Sequence, residues 1–132
     1  MKTRVYFLAL AMLMSIGALS SCKKEGCTSV NACNYDADAK KDDGTCIDKG
    51  QVTFWTNTSG TNFDIDVTIN AAVSSTTAEF VDAPICDASG CATFSLCPGS
   101  HSYTAREALP GTGTWSGNVV SVEGGCTVIL LE

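Results

Sequence analysis

Phe63-Asp64-Ile65-Asp66-Val67-Thr68-Ile69-Asn70 alternates apolar and polar side chains without a break. A period of two puts the four apolar residues on one face and Asp64, Asp66, Thr68 and Asn70 on the other, the pattern of a strand with one buried and one wet face. Outward from this stretch, six more runs read as strands between Gly, Pro, Ser and Asn joints. They are Gln51 to Asn57, Thr77 to Val81, Cys91 to Leu96, Ser102 to Glu107, Thr114 to Val122 and Cys126 to Leu131. No segment after residue 50 keeps a helical period with caps. Seven short strands in so few residues predict an all-β, seven-stranded antiparallel sandwich over residues 50–132. Trp115 and Val119 share one parity and Val120 and Val122 the other, so a bulge is expected near Gly117-Asn118.

The chain has 132 residues, too few for a substrate domain beside a cofactor domain. With 45% hydrophobic and 17% charged residues it is too apolar to be disordered by composition. Its first segment has the shape of a secretory signal: Lys2 and Arg4, an apolar run from Val5 to Leu19, then small residues before a cysteine. That run is shorter than the roughly 20 residues a membrane-spanning helix needs. Leu19-Ser20-Ser21-Cys22 resembles the lipobox of bacterial lipoproteins, which implies a signal peptide over residues 1–21 and acylation of Cys22. The alternative is an ordinary signal peptide cut near Ser20 or Ser21. Two or three acyl chains on one residue make release from a bilayer negligible. Residues 22–25 then form a lipidated tether, and its Lys23-Lys24-Glu25 resembles the export signals of surface lipoproteins in the Bacteroidetes. The resemblance implies an exported chain anchored in the outer membrane, with either face open. Loss of Lys2 and Arg4 leaves six basic residues against 14 acidic ones, so nucleic acid is excluded as a partner.

Residues 26–48 form a Cys- and Asp-rich module with almost no aliphatic side chains, which cannot build a core and needs a crosslink, a metal or a neighbouring domain. Four Asp and two Asn within 13 residues suggest a hard-cation site. Asn34, Asp36, Asp38, Asp42 and Asp43 are the candidate calcium ligands. Ala39 stands where an EF-hand requires glycine and no bidentate Glu follows, so a solvated acidic loop is the competing reading; no other cofactor is expected. Gly26-Cys27-Thr28, Ala32-Cys33-Asn34-Tyr35 and Asp42-Asp43-Gly44-Thr45-Cys46 resemble a short repeat of secreted and surface proteins of marine Bacteroidetes. That resemblance implies a Cys27–Cys46 bridge and leaves Cys33 without a local partner, since Lys41 stands where a fourth cysteine often occurs.

Gly90 to Ala105, with Leu96 before Pro98-Gly99 and Tyr103 after it, is similar to the strand, turn and strand of carboxypeptidase-regulatory-like and prealbumin-like sandwiches. The resemblance implies an immunoglobulin-like or prealbumin-like fold in an accessory or binding role. With Cys22 acylated, seven of the eight cysteines remain, so at most three bridges form. Cys86 and Cys91 flank a turn-rich loop and are candidates to close it, Cys97 and Cys126 border strands and are candidates to staple the sandwich, and Cys33 is left over. Zinc is disfavoured because no CxxC occurs and His101 is the sole histidine.

Catalytic constellations are missing from the sequence. His101 reads as a solvated loop residue, Asp64 and Asp66 as a wet sheet face, and Gly111-Thr112-Gly113-Thr114 has neither the Lys nor the helix of a phosphate loop. Trp55 is expected to project opposite Val52 and Phe54, as a candidate ligand contact or as packing under a loop. The expected function is a non-catalytic, membrane-anchored envelope module that binds a glycan or another envelope protein. The alternatives are a structural envelope lipoprotein without ligand and a protease inhibitor presenting the Cys86 to Cys91 loop.

Overall fold

The computed structural model describes residues 23–57 and 64–132. The expected signal peptide over residues 1–21, Cys22 and Phe63 lie outside the described residues. Seven strands form two sheets and the described residues include no helix. In chain order they are β1 (Gly50–Trp55), β2 (Ile65–Ile69), β3 (Ala72–Thr76), β4 (Ala92–Leu96), β5 (Gly99–Glu107), β6 (Thr114–Ser121) and β7 (Cys126–Leu130). One sheet has the order β4-β1-β7 and the other β3-β2-β5-β6. The all-β sandwich expected from the alternation is the observed fold, with one departure from an antiparallel arrangement: β1 and β7 run parallel.

Between the sheets, Val52, Phe54, Phe94 and Leu131 of the first sheet and its flank face Ile65, Val67, Ile69, Ala105 and Val119 of the second. Phe54 is fully buried, edge-on to Phe94 at 6.0 Å between ring centroids and 4.8 Å from Tyr103. Edge-to-face rings at such separations add attraction beyond the area they bury. The other face of β1 is covered too. Thr53 Oγ1 lies 2.9 Å from Thr93 Oγ1 and accepts from the Asp87 amide, and Phe80 donates its amide to the Thr56 carbonyl. The segment 77–91 therefore lies over the outside of the three-stranded sheet, which a two-faced alternation alone does not reveal.

That segment corrects one expected strand. Thr77 to Val81 is not a strand; the partner of β2 is Ala72–Thr76, joined through the two-residue turn Asn70-Ala71. Both turn residues have positive φ, 49° and 66°, as a tight hairpin requires. The usual Asn-Gly is replaced here by Asn-Ala, which hides the turn in the sequence. Ala in this left-handed region carries a steric penalty that glycine lacks. Ala71→Gly is therefore expected to stabilise the protein by about 1 kcal/mol, read as a raised midpoint in urea unfolding.

The expected bulge near Gly117-Asn118 is also corrected. The β5–β6 ladder runs unbroken from Gly99↔Ser121 to Arg106↔Thr114. Trp115, Gly117, Val119 and Ser121 face inward, and Val120 and Val122 are simply exposed. Where β1 begins, Gly50 is pressed against the end of β6, and a Cβ there would collide with the Val122 carbonyl oxygen.

Candidate functional site

Around Gly26 to Cys46 the chain is held by turns rather than strands. Lys40 donates its amide to the Lys24 carbonyl (2.8 Å), Gly26 donates to Lys41 (3.1 Å) and Cys33 to Ile47 (2.8 Å). Lys24 Nζ sits 2.7 Å from Asp36 and Lys41 Nζ 2.6 Å from Glu25. The expected tether is thus built into the module from Lys24 onward. Cys27 bonds Cys46, with 4.8 Å between their Cα atoms.

The two other expected bridges are corrected. Cys86 pairs with Cys126 and Cys33 with Cys97, which leaves Cys91 as the free thiol among the described residues. Cys97 follows β4 and Cys126 opens β7, on opposite sides of β1, so two strand spacings of about 10 Å separate them, beyond a disulfide's reach. Between Cys86 and Cys91 the loop makes successive turns, Ala88 to Ile85 and Cys91 to Ala88, and the Cys86 sulfur is directed across the sheet to within 3.8 Å of the Thr127 carbonyl. The loop is not closed on itself. Burial pushes the Cys91 thiol up from its ordinary value.

The candidate calcium ligands have partners within the chain. Asn34 donates to the Thr45 carbonyl and accepts from the Ile47 amide; Asp42 caps the Gly44 amide and takes the Thr28 hydroxyl; Asp43 caps Thr45. Asp36 pairs with Lys24 and accepts from the Asp38 amide. Among the described residues no group of three or more His, Cys, Asp or Glu is placed to share a metal. Lys24 beside it, with the Asp38 amide, holds the Asp36 carboxyl below its ordinary value, and the Thr45 hydroxyl and amide do the same for Asp43. A lowered folded-state pKa stabilises the fold fully above the unfolded value of 3.8 and loses that contribution as pH falls through the folded one. Thermal unfolding below about pH 4 is expected to show a falling Tm whose slope flattens in Asp36→Asn.

Trp55 is only 7% exposed, so of its two expected roles the structure shows packing under a loop and corrects the projecting ligand contact. It lies on the face of β1 over which the 77–91 segment passes. His101 is likewise held in place: Nε2–H donates to the Cys97 carbonyl (2.8 Å), which can only accept, and Nδ1 faces Asn70 Nδ2 at 3.3 Å. It ties the β4–β5 turn to the β2–β3 hairpin.

A concave surface opens elsewhere, on the outer face of the four-stranded sheet. This groove, of about 490 Å³, is lined by Asp66 and Thr68 of β2, Val73 of β3, Thr104 and Arg106 of β5, and Thr114 and Ser116 of β6, with Ala105 and Trp115 completing it. These residues share the outer parity of their strands except for Ala105 and Trp115. Asp66 accepts from Ser75 Oγ at 2.6 Å. The guanidinium of Arg106, its register partner on β5, makes no ion pair or hydrogen bond among the described residues. Trp115 is fixed by its indole N–H, which donates to the Glu132 carbonyl at 3.0 Å. No family model, curated protein or solved structure matches this chain. The groove lies toward the 108–113 loop, whereas the module, tied on through Cys97, lies at the opposite end of the sandwich. Glu107 shapes that loop by accepting the Thr112 and Gly113 amides at 2.9 and 2.8 Å.

Sequence reasoning passed over Arg106. Its signal was present, because it is the single basic residue after Lys49, against eight acidic ones.

Proposed function

We propose that this protein is a cell-envelope lipoprotein, acylated at Cys22, that acts as a non-catalytic binding module through the groove on its four-stranded sheet. The observation carrying this reading is the position of the groove, on the outer face of the four-stranded sheet and displaced toward the end remote from the module that follows Cys22. One residue, Lys23, separates Cys22 from the bonded Lys24, so an acylated chain would rest its module on the bilayer and turn the groove away from it. Outer-membrane attachment and a glycan or protein ligand follow from the same reading. Its polar lining of hydroxyls with one carboxylate and one guanidinium suits recognition, where a few placed polar groups set orientation.

Metabolic labelling with a clickable fatty acid tests the anchor: label is expected on the full chain and absent from Cys22→Ser. Binding is tested on oligosaccharide and peptide arrays with the full chain and with Thr104→Trp, which fills the groove from an exposed position. Ligand binding by the unaltered chain, lost in Thr104→Trp at unchanged Tm, is the expected result. Equal binding by both would move the site elsewhere, and an unlabelled chain would remove the anchor.

A further inference from the structure

Asp66 and Arg106 are direct register partners on adjacent strands, both on the outer face of the sheet. Cβ atoms so placed lie about 5 Å apart, and opposite charges there ordinarily pair. Here they do not: Asp66 Oδ1 takes the Ser75 hydroxyl, and no ion pair joins the two. The groove therefore holds an acceptor-only group, whose second oxygen has no side-chain partner among the described residues, beside a donor-only group with five N–H. The ligand that satisfies both at once carries neighbouring groups that each donate and accept. Two adjacent hydroxyls on a sugar ring do so, one donating to Asp66 and the other accepting from Arg106. Thr68, Thr104 and Thr114 add hydroxyls around the pair, and Val73, 62% exposed, offers an apolar surface to ring C–H groups.

Charge decides between sugar classes. After Lys49 the chain carries one basic residue and eight acidic ones, so its field repels a polyanion. A cationic peptide would meet the guanidinium inside the groove. A neutral sugar meets neither penalty, and a groove of about 490 Å³ falls within the range of small-molecule sites. We infer that the groove binds a neutral oligosaccharide through a vicinal diol held between Asp66 and Arg106. The inference rests on the binding-module reading and names its ligand.

Calorimetric titration of the purified full chain with short glucan, mannan, xylan and galactan oligosaccharides tests it. Further arms use the same sugars after periodate oxidation, which cleaves vicinal diols, together with polygalacturonate fragments and a peptide library. Binding of at least one neutral sugar is expected, abolished by periodate and weakened about tenfold or more in Asp66→Asn and in Arg106→Gln, with Tm unchanged in both. Undiminished binding after periodate, tighter binding of the uronate, or unaltered binding by the two variants would overturn the inference. Peptide binding alone, lost in Thr104→Trp, would overturn it while leaving the binding-module reading intact. Binding of no probe in any arm would count against both. The periodate arm needs no variant, so a folding defect in either substitution leaves the test standing.

Discussion

Phe54→Ala is expected to destabilise the protein by about 3–5 kcal/mol, the range for emptying a buried aromatic site. Phe54 is fully buried on β1, the central strand of its sheet, and meets Phe94 on the neighbouring strand and Tyr103 across the sandwich. Neither ring can follow the retreating side chain, because Phe94 is fixed on β4 and Tyr103 on β5 by the ladders that pair them. A cavity therefore persists and adds to the lost burial. Against a total stability of about 5–15 kcal/mol for a domain, such a loss brings the sandwich close to unfolding at ordinary temperature. Equilibrium urea unfolding would show it as a midpoint shift at constant slope. The contrast is Val73→Ala on the exposed edge of the other sheet, expected to change stability by about 0.5 kcal/mol or less. Similar losses at both positions would mean that the interior is not the one described.

The core was legible because it obeys a local rule. Ile65, Val67 and Ile69 announce their face by alternation, and Phe54 follows from the parity of Val52. What alternation does not encode is the covering of a second face by a distant segment. Trp55 has the parity of a solvent-facing residue and is nevertheless buried, because the 77–91 segment returns across β1 and is bonded there at Thr53 and Thr56. β3 was hidden for a different reason: its turn uses Ala71 at positive φ where glycine is expected. The groove followed a third logic. Apart from Ala105 and Trp115, its residues are ordinary wet-face side chains of strands distant in sequence, and only the sheet order brings Asp66, Arg106 and Thr114 side by side.

Cysteine pairing shows the same limit. A short sequence interval favours Cys86 with Cys91, yet pairing depends on where strands place the Cβ atoms, and Cys33, without a partner in its own module, has one at the β4–β5 turn. The module thus depends on the sandwich for order as much as on its own Cys27–Cys46 bridge.

Replacing Cys33 and Cys97 together by Ser is expected to lower stability by about 4 kcal/mol, from the loop-closure entropy of a bridge between residues 64 apart. The larger consequence is mechanical. Once the bridge is gone, the described links between module and sandwich are the chain at Lys49-Gly50 and contacts such as the Asp48 amide on Glu123 at 3.1 Å. Every lysine after Cys22 lies in residues 23–49, and the single Arg of the sandwich is within β5, so limited trypsin cuts the module before the sandwich. In the unaltered protein a cut after Lys49 leaves the module attached through Cys33–Cys97, and non-reducing mass spectrometry should find the two pieces together, with Cys91 the alkylated thiol of the described residues. In the double variant the same cut should free the module without reductant. The order of events separates a bridge that orders the module from one that merely joins it. If it orders the module, Lys40 and Lys41 are cut faster in the double variant even before Lys49 is reached, because Lys40 donates to Lys24 and Lys41 accepts from Gly26 only while the turns are held. Equal rates at Lys40 and Lys41 would show that Cys27–Cys46 alone maintains the turns, and release of the module from the unaltered protein would show that Cys33 is paired elsewhere.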